Sequence, residues 1–146
     1  MGDWMPELLR LLPRTVSPVM PGLKNVAIVM LGGSVGAACR YLIGILTARV
    51  WGSHFPWGTL TVNLVGCFLI GLCFALADRA RLLTPEMRLL LITGFLGALT
   101  TFSSFSLETA NAARTGMILQ PVMNILVNNL GGLGLTFLGF WLGSLR

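Results

Sequence analysis

Apolar residues fall into four long runs, parted by short stretches rich in Pro, Gly, Trp or charge. Inside the runs there is neither the strict alternation of a half-buried strand nor the charged outer stripe of a soluble helix, so the pattern predicts helices apolar on all sides. The runs cover about 25–47, 59–77, 86–113 and 121–145. At roughly 1.5 Å per residue each is long enough to cross about 30 Å of hydrocarbon. In the first run Gly32, Gly36, Arg40 and Gly44 recur every fourth residue and share one face, where small residues admit a second helix closely. Arg40 on that stripe either faces protein or a water-filled vestibule, or snorkels from near the helix end. In the second run Thr59, Asn63 and Gly66 lie on one face. In the fourth, Asn124, Asn128, Gly132 and Thr136 stand four apart, with further glycines at Gly131, Gly134, Gly139 and Gly143.

The third run breaks the pattern. Thr84-Pro85-Glu86 reads as a helix start, with an N-cap, proline at the first position and an acid in the first turn. From there to about residue 113 the run is longer than a straight crossing needs. Its centre, G-F-L-G-A-L-T-T-F-S-S-F-S-L-E from Gly94 to Glu108, carries glycines, paired threonines, serines and phenylalanines where a lipid anchor is plain. Thr100-Thr101 is expected to interrupt the helix, since the hydroxyls can satisfy freed backbone groups and protein or water must cover them. An interruption leaves carbonyls at the end of one half, suited to a small cation such as Na⁺, and amides at the start of the next, suited to an anion. Gly97 and Thr100 are the carbonyls in place for the cation. Phe102 and Phe105, three apart, project from one face of the second half, either as ordinary packing or as electropositive ring edges beside an anion path.

The chain has 146 residues, 55% of them hydrophobic and 10% charged. Soluble domains carry about 25% charged residues, so this composition, with a mean hydropathy of +0.83, places a single membrane domain at 25–146. Residues 1–24 hold Pro6, Pro13, Pro18 and Pro21, and their leucine pairs are too interrupted for a signal-peptide core. They are expected to form a disordered or interfacial extension, or to precede a true start at Met20. The net charge of +5 comes from basic residues scattered at run ends rather than clustered, which argues against a nucleic-acid partner. Arg10, Arg14, Lys24, Arg79, Arg81, Arg88 and Arg146 fall on one side of four spans, Arg49 and Arg114 on the other with Arg40 near it, favouring termini in the cytoplasm. Trp51 and Trp57 suit an interfacial aromatic belt.

Cys39, Cys67 and Cys73 have no paired ligand spacing and His54 is the sole histidine, so neither a side-chain metal cluster nor a nucleophile with its base can be assembled. The expectation is that the chain is not an enzyme. Asn63 is a carboxamide about a turn into the second run, where an unmet polar group costs several kcal/mol, of order 2–7. It either bonds another helix or offers N–H to a desolvated anion. Asn124 and Asn128 pose the same choice. Glu108 is the one acid well inside a run.

Three stretches in order, G-G-S-V-G-A-A-C-R-Y from Gly32, G-T-L-T-V-N-L-V-G from Gly58 and the Gly94 to Glu108 segment, resemble the small bacterial fluoride channels of the Fluc or CrcB family. The resemblance spans about residues 25–145. It implies an all-α membrane protein of four transmembrane helices, the third broken at mid-membrane, assembled as an antiparallel, dual-topology homodimer in the inner membrane. It implies fluoride as the transported ion, two pores along the interface, and a structural Na⁺ at the dimer centre held by the Gly97 and Thr100 carbonyls of each subunit. By motif match Asn63 is the pore asparagine, Phe102 and Phe105 are the paired rings, and Ser104, Thr59 and Glu108 are hydroxyl and acid positions near the ion path. In the fourth run, tyrosine and serine four apart are common in the family. Here they are Asn124 and Asn128, followed by Gly132, so the polar track is expected to be lined by amides. The rival reading is a small proton-coupled multidrug exporter of the four-helix dual-topology type, with Glu108 as its proton site. A non-transporting membrane scaffold is the third.

Overall fold

A computed structural model describes residues 22–79 and 83–145, all helical or connecting, with no strand among them. Four helical spans are long and apolar enough to cross a membrane: Leu23–Trp51, Trp57–Ala77, Pro85–Arg114 and Leu119–Ser144. They lie where the apolar runs predict them, with ends that agree within a few residues. Residues 1–21 of the expected extension, and Arg81 and Arg146 of the charge count, lie outside the described residues.

The first span is helix α1 (Leu23–Trp51) and the second is α2 (Trp57–Arg79). The third divides into α3 (85–99) and α4 (Phe102–Arg114), and the fourth is α5 (Leu119–Ser144). Thr84 caps α3 as its sequence signature requires, its hydroxyl accepting from Met87 N at 3.2 Å with Pro85 next in line. Two stretches that periodicity does not announce adopt π geometry, Leu89–Leu96 within α3 and Val127–Gly131 within α5. Single π turns inside helices gather at functional sites because they loosen the backbone ladder locally.

Helix α1 packs along α3, and α2 along α5. Glycine sets both contacts. A Cβ on Gly32 or Gly36 of α1 would overlap the carbonyl oxygens of Leu90 or Phe95, and one on Gly71 or Gly139 would overlap those of Thr136 or Phe68. Backbones therefore touch directly, the packing that holds helices together when lipid gives no hydrophobic drive. Val62, Leu96 and Leu99 form the buried centre, with Cys39, Ile43, Leu69, Cys73 and Phe95 against it. Arg88 closes the end of α2 by donating Nη2–H to Ala77 O at 2.6 Å. Lys24 pairs with Glu86 at 3.2 Å between the starts of α1 and α3, both side chains largely in solvent. Outward surfaces are rich in large apolar residues, among them Leu31, Leu42, Leu46, Leu133 and Phe137, as a chain seated in lipid or against another helix surface requires.

Candidate functional site

The geometry of the site begins at the gap between α3 and α4. The last helical bond of α3 runs from Thr100 N to Leu96 O at 3.1 Å, Thr100 (φ −78°, ψ 156°) and Thr101 (φ −153°, ψ 118°) are extended, and the helix resumes at Phe102. The gap lies halfway along the Pro85–Arg114 span. In an unbroken helix the Thr101 amide would donate to Gly97 O. Here it donates to Oδ1 of Asn63 on α2 at 2.8 Å, and Asn63 Nδ2 donates back to Thr101 O at 3.2 Å. One carboxamide therefore reads both backbone groups of Thr101 in place of a neighbouring peptide. The threonine hydroxyls complete the repair. Thr100 donates to Leu96 O at 3.0 Å, and Thr101 caps α4 by accepting from Ser104 N at 3.2 Å while donating to Ser104 Oγ at 3.1 Å. Gly66, one turn along α2 from Asn63, makes room for the gap, since a Cβ there would overlap Thr100 Cγ2.

Polar contacts run on from Asn63 into α5. Its Nδ2 donates to Asn128 Oδ1 at 3.0 Å, and Asn128 Nδ2 donates to Asn124 Oδ1 at 2.9 Å and to Asn124 O at 3.1 Å. Asn124 Nδ2 then donates to Thr109 Oγ1 of α4 at 2.8 Å. Three asparagines that the sequence places on two faces of separate helices thus meet in one network. Asn124 is 1% exposed and is held entirely among protein groups, whereas Asn63 and Asn128 are half-buried. Asn63, Thr100, Phe102, Phe105 and Asn128 line a cavity of about 300 Å³, with Gly97 at its edge. The rings of Phe102 and Phe105 stand 5.5 Å apart at 50°. Phe105 is buried and Phe102 is 76% exposed on the single chain.

On the other side of Thr101 and Ser104 lies a wide open depression of about 900 Å³. Thr59, Glu108, Arg40, Tyr41 and Asn111 form part of its wall. Arg40 therefore faces this depression, the vestibule alternative of its sequence reading. Glu108 Oε1 accepts from Thr59 Oγ1 at 2.7 Å, while its buried Oε2 has no partner among the described residues. All the predicted pathway residues thus border one of two adjoining spaces except Asn124, which stands behind Asn128. Sequence reasoning missed Thr109. Its signal was present, a hydroxyl one helical turn after Phe105, but any threonine inside a helix can spend its hydroxyl on the carbonyl four residues back, as Thr109 does on Phe105 O at 2.7 Å.

The same gap bears on a cation. Gly97 O has lost its helical donor to Asn63, and the ψ of Thr100 turns its carbonyl out of the ladder. Both are neutral, hard oxygens, which fits an alkali cation. Two per chain fall short of the about six that hard cations gather, so a full shell draws on a second chain or water. No cluster of three or more His, Cys, Asp or Glu side chains suited to a metal occurs among the described residues.

Comparison with known proteins points the same way. The profile of the family described as CrcB-like protein, Camphor Resistance (CrcB), matches residues 27–140. A protein of Shewanella pealeana named fluoride-specific ion channel FluC is 49% identical over 106 residues, 73% of this chain and 85% of its own. Proteins of the same name from Allorhizobium ampelinum and Agrobacterium fabrum are 43% and 44% identical, the alignments covering 83% and 82% of this chain and 97% and 95% of theirs.

Proposed function

The chain belongs to the CrcB family, and on that premise we propose that it is a fluoride channel of the cytoplasmic membrane that lowers internal fluoride by passive export of the anion. Its close relatives carry that function in their names. It is a multi-pass membrane protein and a conduit rather than an enzyme. The observation that carries the reading is the meeting of Asn63, Asn128 and the Phe102–Phe105 pair at one cavity beside an opened helix.

Fluoride is small and holds its water tightly, so a selective path must replace that water with donors. Carboxamide N–H groups, the Ser104 and Thr59 hydroxyls and the electropositive ring edges are such donors, and none is a strong trap. A narrow path lined this way admits fluoride and turns away larger chloride. Hydrogen fluoride crosses lipid as the neutral acid and dissociates inside, and the channel lets the anion leak out. Arg40 at the wide mouth attracts the ion, and Glu108 orients the Thr59 hydroxyl.

Two copies pack antiparallel, with the Thr100–Thr101 gap at mid-membrane and a path on either side of their contact. The exposed Phe102 ring and the exposed Gly97 lie on the face that the second copy covers. Na⁺ held by the Gly97 and Thr100 carbonyls of both copies would supply a fixed positive charge that satisfies those carbonyl dipoles and ties the gap together.

Purified protein in fluoride-loaded liposomes tests the reading. Electrogenic efflux of fluoride with little chloride flux is expected, together with its loss in Phe102→Ile and Phe105→Ile. Efflux unchanged by both substitutions removes the rings from the pathway, and absence of any flux from the parent protein sinks the channel itself.

A further inference from the structure

Hydrogen bonds along the three asparagines have a direction, and it is fixed at both ends, one of them outside the cavity. The Thr109 hydroxyl spends its single proton on Phe105 O at 2.7 Å, and that carbonyl can only accept. Thr109 Oγ1 is left as an acceptor, so Asn124 must turn its Nδ2 toward it, as it does at 2.8 Å. That leaves Asn124 Oδ1 facing Asn128, which must answer with Nδ2 at 2.9 Å and so presents Oδ1 to Asn63. Asn63 meets Oδ1 with Nδ2 at 3.0 Å and accepts the Thr101 amide at 2.8 Å. The chain therefore runs from a group that can only donate, the N–H of Thr101 at the N-cap of α4, to one that can only accept, the carbonyl of Phe105 a turn further on.

We infer that Thr109 is a positioning residue for anion selection, acting through Asn124 to hold the Asn128 carboxamide with its N–H and C=O ends in fixed places beside the cavity. The inference rests on the fluoride reading above and deepens it. Thr109 does not line the 300 Å³ cavity, and neither does Asn124. Every carboxamide proton of Asn63 and Asn128 is met within the protein, so an entering anion must take a donor from a neutral carbonyl or amide oxygen, which a negative charge does readily. An inverted Asn128 would set oxygen against Asn124 Oδ1 and nitrogen against Asn63 Nδ2, so neither bond would survive. Removing the Thr109 hydroxyl ends the chain on a donor of Asn124, a residue 1% exposed, with nothing to meet it. Asn124 then turns to find an acceptor, and Asn128 loses its 2.9 Å bond to Asn124 Oδ1, leaving it held only by Asn124 O and Asn63 Nδ2.

The test compares Thr109→Val, close in shape but lacking the hydroxyl, with Thr109→Ser, which keeps it, in reconstituted channels. Fluoride and chloride flux are counted per assembled channel, so that a loss of folded protein does not enter the ratio. Thr109→Val is expected to lower fluoride over chloride selectivity by about tenfold, the factor that ~1.4 kcal/mol carries, and Thr109→Ser to retain it. Thr109→Ala serves the same comparison if the valine form does not assemble. Selectivity equal to the parent in either hydroxyl-free form overturns the inference, as does an equal loss in Thr109→Ser. Failure of both hydroxyl-free forms to assemble, with Thr109→Ser intact, also overturns it, because the bond is then purely structural. The parent protein's own fluoride flux, measured in parallel, separates these outcomes from failure of the channel reading.

Discussion

Replacing Asn63 with leucine keeps the side-chain volume nearly constant and removes the two hydrogen bonds by which α2 holds the gap, at 2.8 and 3.2 Å, together with the one to Asn128 at 3.0 Å. Two groups then lack partners, the amide of buried Thr101 and the carboxamide oxygen of half-buried Asn128. Each unmet group costs about 1–3 kcal/mol, the lower figure applying where water can reach. The shortest remedy is for Thr100 and Thr101 to return to helical geometry, so that Thr101 N–H donates to Gly97 O. That remedy withdraws the Gly97 carbonyl and re-aims Phe102 and Phe105, so conduction fails while the fold survives. Fluoride efflux from liposomes is expected to fall at least about a hundredfold, the equivalent of ~2.7 kcal/mol, in protein that still purifies as a folded species. Asn63→Asp makes the control, because its oxygen still accepts from Thr101 N–H. It is expected to hold the gap open yet block flux by repelling the anion. Efflux of Asn63→Leu within about threefold of the parent, a difference of only ~0.7 kcal/mol, would refute the argument that Asn63 holds the gap.

Gly66→Ala is expected to destabilise the folded protein by about 1–3 kcal/mol, the range for overpacking a tight contact, because its Cβ overlaps Thr100 Cγ2. Adding Thr100→Ser, which lacks that methyl, should restore the thermal midpoint, and a double variant no better than the single shows that the clash lies elsewhere. Glu108→Gln keeps the acceptor for the Thr59 hydroxyl at 2.7 Å and removes the charge. Fluoride flux is expected to persist in it without coupling to protons, whereas abolition of flux together with a proton dependence in the parent would favour the exporter.

Much of the fold was legible in the chain because lipid is a demanding solvent. Four apolar runs, the Thr84-Pro85-Glu86 start and the glycines at positions 32 and 36 follow from rules that act within one helix or on one face. The interruption at Thr100-Thr101 was legible for the same reason, since hydroxyls and glycines collect where backbone groups leave the ladder. Arg40 was ambiguous because a stripe gives a face but not what lies opposite it. Thr109 was missed because the partner that gives it meaning, Asn124, comes from another helix.

By itself the sequence determined the number of spans, their boundaries within a few residues, the family and the residue types able to meet a small anion. Those properties are local, set by periodicity, backbone chemistry and motif. Only the tertiary structure decided that Asn63 takes both backbone groups of Thr101, that Asn124 stands behind Asn128 rather than beside the cavity, and that the amides form one directed chain. It also decided where the backbone loosens into π turns around Leu89–Leu96 and Val127–Gly131. The physical reason is that a carboxamide has two unlike ends. Which end points where depends on partners that come from three helices, and no spacing along the chain encodes it.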